Sequence, residues 1–169
     1  MGRTFPLTEC DDAFLANASR RYVHIVSIPA APEQVWAALS ADDALVSWSR
    51  VVTGMRWCSP RPHGVGSTRI VTLAGAVALT ERFYRWDEGK RMTFTVDAAS
   101  IPGLRRFAED IALEPTGAGT RLTWTFALEG DAALRPLLWA GGPLNKQVTA
   151  SIARGITRRV LDLARKESR

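Results

Sequence analysis

Cysteine and histidine are scarce in this chain, two of each in 169 residues. Cys10 and Cys58 have no companions at ligand spacing. They suggest neither a disulfide framework nor a zinc site, and they suit a reducing compartment such as the cytoplasm. His24 and His63 stand without a carboxylate motif at fixed spacing, so no metal is expected. The chain has no glycine-rich phosphate cradle and no G-x-S-x-G elbow. That argues against the common nucleotide-binding and serine-hydrolase sites, and no cofactor is expected. No apolar run approaches the roughly 18 residues needed to span a membrane. The start, MGRTFPLTECDDAF, lacks an apolar stretch after Arg3 and does not resemble a secretory signal. Internal repeats and low-complexity stretches are also missing.

What remains has an ordinary globular balance, 46% hydrophobic and 23% charged. The length suits one domain, expected over residues 21–169 behind a loose N-terminal arm, 1–20, with one helical turn near Asp11–Ala18. The net charge of +5 is concentrated at the C-terminal end, where Arg154, Arg158, Arg159, Arg165, Lys166 and Arg169 face only Asp162 and Glu167. The plain reading is a solvated helix face, with cations favoured near a helix C-terminus. The sharper one is a dock for an acidic partner. Nucleic acid is not expected, because no aromatic interleaving accompanies the charge.

The periodicity changes along the chain. Tyr22–Ile28 is rich in β-branched residues and predicts a strand. Pro32 then opens a short helix over 32–41, and Asp42 can cap a second over 43–48. From Val51 the period becomes two. Strands are expected at 51–57, 67–73, 76–86, 91–98, 106–114 and 120–128, joined by short connections into antiparallel hairpins. Leu144, Val148, Ile152, Ile156, Val160 and Leu163 finally mark one long amphipathic helix. A meander sheet with one apolar face needs a cover, and this helix is the adequate one.

One row in the sheet is anomalous. In Val77, Leu79, Glu81, Phe83 a carboxylate interrupts an apolar face. Pairing Leu73 with Val77 sets Val71 opposite Leu79 and Arg69 opposite Glu81. Pairing Asp87 with Lys90 sets Phe83 opposite Phe94 and Glu81 opposite Val96. Cross-strand neighbours share a face. So Val71, Leu79, Phe83 and Phe94 point inward together with Arg69 and Glu81, while Thr80, Arg82, Thr93 and Thr95 point outward. The anomaly recurs at Glu109 between Phe107 and Ile111, roughly 10 Å from Glu81 if the two are level. A buried carboxylate must be paired, protonated or wetted by a cavity. Arg69–Glu81 is either a space-filling ion pair or part of a polar cluster in an apolar pocket.

The segments Ile28-Pro-Ala-Ala-Pro-Glu-Gln-Val-Trp36, Leu79-Thr-Glu-Arg82 with Trp86-Asp87 and Arg91, and Gly119-Thr-Arg-Leu-Thr-Trp124 resemble the helix-grip superfamily of START domains, birch-pollen-type allergens and polyketide cyclases/dehydrases. The resemblance covers about 22–166 and is nearest to the bacterial polyketide cyclase/dehydrase type. It implies an α+β fold, a curved antiparallel sheet of about seven strands around the long C-terminal helix, with a ligand cavity between them. The abscisic-acid receptors also look similar around Thr80-Glu-Arg82, but the short Ala74-Gly75-Ala76 connection argues against their latch. The expected occupant is a small hydrophobic or aromatic, polyketide-like molecule. The expected activity is a cofactor-independent cyclisation or dehydration, with Glu81 or Glu109 as acid or base, Arg69 at a developing oxyanion, and an acidic carrier protein on the basic helix. A non-enzymatic carrier or sensor is the alternative. Trp48, Trp57, Phe107, Trp124, Trp139, Val148 and Ile152 complete the expected ligand contacts with Val71, Leu79, Phe83 and Phe94. Trp36 is expected in the core, His24 on its strand without a catalytic role, and His63 in a loop at the cavity mouth.

Overall fold

A computed structural model of the protein describes residues 3–167. The elements run β1 (Phe5–Pro6), α1 (Asp12–Asn17), β2 (Arg20–Ile28), α2 (Pro32–Leu39), β3 (Val52–Trp57), β4 (Thr68–Leu73), β5 (Val77–Asp87), β6 (Arg91–Ala99), β7 (Leu104–Thr116), β8 (Gly119–Gly130), α3 (Arg135–Ala140) and α4 (Gly142–Glu167). This is an α+β helix-grip fold. The sheet order is β2-β8-β7-β6-β5-β4-β3, antiparallel throughout, with the short β1 added to the end of β6. Consecutive hairpins build β3 to β8, and β2 returns to pair with the last of them. No described helix is long and apolar enough to cross a membrane.

The expected register holds in β4–β5, where Leu73 pairs with Val77, Val71 with Leu79 and Arg69 with Glu81. In β5–β6, Phe83 faces Phe94 and Glu81 faces Val96 as expected, but the register slips between Phe83 and Arg85 and again between Thr80 and Glu81. Such bulges sharpen the bend of a sheet, and here the sheet wraps the helix. Gly119, at the start of β8, has φ +135°, and a Cβ there would sit 2.2 Å from the Ile28 carbonyl oxygen. Glycine at this position lets β8 begin against the end of β2.

The long helix divides along its length. Ile152, Ala153, Ile156 and Val160 are buried against Trp36, Leu39, Trp48, Phe94 and Trp124. Leu144, assigned to the same stripe, is instead 64% exposed, and Val148 is half-buried. The C-terminal half thus fills the core, while the first turns leave space above the sheet.

Four points differ from expectation. Residues 42–48 form a run of turns rather than a second helix. Leu45 lies in the left-handed region at φ 65°, which breaks the helical path while its side chain is buried. The helix α3 was not expected at all. The arm is not loose: Cys10, Phe14 and Leu15 are buried on the outer face of the sheet against Ala108 and Ala127. Asp11 accepts from the Phe14 amide at 2.8 Å and caps α1. Thr95, on the outer face, is buried, and the Cys10 amide of the arm donates to its hydroxyl at 3.1 Å. Arg82, expected in solvent, pairs with Glu9 at 3.0 Å and Asp97 at 2.9 Å.

Candidate functional site

Between the sheet and the first turns of α4 lies a cavity of about 430 Å³. Its walls are mostly aliphatic and aromatic. Val71, Leu79, Phe107, Trp124 and Phe126 come from the sheet, Val148 and Ile152 from α4, and Leu134, Leu137 and Leu138 from α3 and the residue before it. Leu137 is 66% exposed and Leu144 64%, so the opening lies between α3 and the start of α4.

Glu81 and Glu109 both line this cavity. Glu109 shares a cross-strand row with Phe94 and, beyond it, Phe83, whereas Glu81 lies two residues earlier on β5. The two carboxylates are therefore on one face but not level. Glu81 accepts from Arg69 Nε at 2.5 Å, with both side chains almost wholly buried. The Arg69 guanidinium carbon sits 5.5 Å from the Trp57 ring centre and 5.0 Å from those of Phe83 and Phe94. This aromatic cage holds the cation behind the cavity wall, facing ring surfaces that attract it. Glu109 Oε2 accepts from the Trp124 indole N–H at 2.7 Å.

These surroundings set the charges. Burial pushes the Glu109 carboxyl up to about 8, and the nearby Glu81 charge adds to the effect; the Trp124 hydrogen bond and Arg69 oppose it. Burial also raises Glu81, against the attraction of Arg69. Arginine keeps its charge inside proteins. One cation and two carboxyls are neutral together when a single proton is held, and Glu109 is the group that holds it near pH 7.

The expected ligand contacts divide. Val71, Leu79, Phe107, Trp124, Val148 and Ile152 are at the cavity wall, as are Glu81 and Glu109. Phe83, Phe94 and Trp57 point inward but are spent on the Arg69 cage, and Arg69 itself is behind the wall. Trp48 is buried away from the cavity, its indole N–H donating to the Ile152 carbonyl at 3.1 Å. Trp139 is 70% exposed, outside the cavity. His63 stacks on Trp57 with centroids 3.8 Å apart, away from the opening. His24 bonds the Thr149 hydroxyl at 2.8 Å. Sequence reasoning missed Tyr22, Asn145 and Thr149, all on the wall. For Tyr22 the signal was available, because its parity on β2 matches that of the buried His24 and Ile28.

Sheet, gripped helix and enclosed apolar cavity with two inward carboxyls define a helix-grip cavity protein. The chain belongs to the polyketide cyclase / dehydrase and lipid transport family, whose model matches residues 20–168. An uncharacterized protein of Mycobacterium tuberculosis is 33% identical over 140 residues, 83% of this chain and 84% of the relative. The crystal structure of TTHA0849 from Thermus thermophilus superposes with a TM-score of 0.69 at 21% identity, covering 85% of this chain and 98% of that one. A START superfamily protein from Mycobacterium smegmatis gives 0.68 at 16% identity, over 86% and 99%. DynU16, a protein in the dynemicin biosynthetic locus, gives 0.63 at 16% identity, over 85% of this chain and 48% of that one. At these identities the structural likenesses concern the fold.

Proposed function

We propose that this protein binds a small hydrophobic, polyketide-like molecule in the cavity and promotes its cyclisation or dehydration without a cofactor. The observation that carries the reading is the pair of carboxyls on a mostly apolar wall, one in an ion pair with Arg69 and one hydrogen-bonded to the Trp124 indole, with burial raising the pKa of the second to about 8. In an aldol cyclisation the Glu81 carboxylate takes a proton from a carbon flanked by carbonyls. That carbon attacks a second carbonyl carbon, whose oxygen takes the Glu109 proton, so a C–C bond forms and a C=O becomes C–OH. A general acid placed this way contributes on the order of a hundredfold, and holding a flexible chain in one fold contributes more. Arg69, behind the wall, positions Glu81 rather than touching the oxyanion. The family's name accords with this chemistry. A cytoplasmic setting suits it, and an acidic carrier protein would dock on the shallow groove that holds Arg154, Arg158 and Arg165.

A carrier is the second reading, favoured by one observation: Arg69 is caged and ion-paired with Glu81, so of the three only Glu109 has no ion-pair partner, its one hydrogen bond being that from Trp124. Turnover separates the two. Material bound to the purified protein is identified by native mass spectrometry, then incubated with wild type and Glu109→Gln. A cyclised or dehydrated product, made by wild type and reduced on the order of a hundredfold in the variant, supports the enzyme. A compound returned unchanged by wild type supports the carrier.

A further inference from the structure

The cavity wall has a polar group that neither carboxyl explains. The Tyr22 hydroxyl is buried and has no hydrogen-bond partner, yet Tyr22 lines the cavity. An unpaired buried hydroxyl destabilises a fold, so such groups normally find a partner. The adjacent polar group shows the contrast. Thr149 donates to the Asn145 carbonyl at 2.9 Å and shares a hydrogen bond with the His24 ring at 2.8 Å, so its hydroxyl is satisfied within the protein. Tyr22 pairs across strands with Phe126, and Phe126 with Glu109. Tyr22 and Glu109 therefore occupy one row two strands apart, with backbones roughly 10 Å from each other. The Tyr22 hydroxyl reaches the start of α4, where a Cβ on Gly142 would lie 4.0 Å from it. Among the described residues, the cavity wall contains no Lys, Arg or His.

We infer that the cavity has two polar poles, Glu109 at one and Tyr22 at the other, and that its ligand is an uncharged, flat or elongated molecule with an oxygen at each end. The inference rests on the ligand-binding reading but not on turnover. Glu109 donates to or accepts from the first oxygen, and the Tyr22 hydroxyl takes the second, with the apolar body crossing Phe126 between them. An anionic ligand would meet carboxyls with no free cation on the wall, since the Arg69 charge is matched by Glu81 and enclosed by rings.

Naphthalene, 2-naphthol, naphthalene-2,6-diol and the anion 6-hydroxy-2-naphthoate form a fluorescent series that tests this. In wild type, the diol is expected to bind about fivefold more tightly than 2-naphthol, the gain from one neutral hydrogen bond. The anion is expected to bind at least tenfold more weakly than the diol. In Tyr22→Phe the diol should fall to the affinity of 2-naphthol, with 2-naphthol unchanged. Thermal stability should hold or rise, because the removed hydroxyl had no protein partner. Equal binding of all four compounds, or an undiminished preference for the diol in Tyr22→Phe, would overturn the two-pole arrangement while leaving an apolar cavity. Failure of every compound to bind would overturn the ligand-binding reading as well.

Discussion

Arg69 lies almost wholly buried in its aromatic cage, so the residue opposite it decides the energetics of the site. Glu81→Gln keeps the shape but leaves a caged guanidinium without a counter-charge. Removing one partner of a buried pair costs roughly 3 kcal/mol. For a chain of this length that is a fall of about 6–12 °C in Tm. If Glu81 also handles ligand, affinity or turnover per folded molecule falls as well; if the pair only fills space, that quantity persists. Thermal unfolding and ligand titration on one preparation separate these outcomes. Glu109 makes a different prediction. Its folded pKa of about 8 lies above the ordinary 4.5. The folded state thus holds a proton that the unfolded state has lost between these values. The corresponding stability is complete below about pH 4.5 and is lost as pH rises through 8, by an amount on the order of a few kcal/mol. His24 and His63, whose pKa values burial pushes down, act in the opposite sense as pH falls below the ordinary 6.5. The test is therefore the difference between two proteins. Relative to wild type, Glu109→Gln should gain Tm between pH 5 and about pH 8 and level off by pH 9. A constant difference over that range would mean that Glu109 is ionised throughout.

At the scale of elements, α4 is held by a contact that explains one misplaced site residue. Gly155 faces Trp48, and a Cβ there would come within 2.6 Å of Trp48 Cδ1. In an exposed helix, Gly→Ala stabilises by about 1 kcal/mol. Here overpacking should outweigh that, so Gly155→Ala is expected to lose about 1–2 kcal/mol net in chemical unfolding. A stabilised variant would show that Trp48 moves freely. Trp48 is thus a helix anchor, which the expectation of it as a ligand contact did not reveal. Strand pairing was more legible. The Arg69–Glu81 pair followed from a short hairpin and parity, because a one-residue slip would have turned the whole apolar row outward. Bulges carry no comparable signal, and neither does the left-handed Leu45 that replaces an expected helix with turns. Parity also states only which face a residue takes. Phe83 and Phe94 do point inward, but a guanidinium sits over them, so inward did not mean ligand-facing. The helix α3 was missed because a six-residue segment, Arg135–Ala140, is too short to display a period.

At the scale of the molecule, the sheet has two working faces. The inner one encloses the cavity, and the outer one is covered by the arm. The sequence of the arm matches this role. Glu9, Asp11 and Asp12 meet Arg82, Arg106 and Arg85; Arg82 and Arg106 are outward by strand parity, and Arg85 lies just past the bulge that follows Phe83. These pairs are at least partly exposed and contribute at most about 1 kcal/mol each. They fix where the arm sits. Its attachment rests on Phe14 and Leu15, both buried, with the Arg106 guanidinium 4.1 Å above the Phe14 ring. Phe14→Ala should therefore cost about 3 kcal/mol, whereas Asp12→Asn should cost at most about 1 kcal/mol, and less at high salt. Neither should change ligand affinity per folded molecule, because Ala108 and Ala127 beneath the arm point away from the cavity while Phe107, Glu109, Phe126 and Leu128 on either side of them line it. Chemical unfolding and titration with naphthalene-2,6-diol check both halves of this statement. If Phe14→Ala weakened the diol tenfold with the sheet still folded, the two faces would be mechanically coupled and the arm would be part of the binding apparatus.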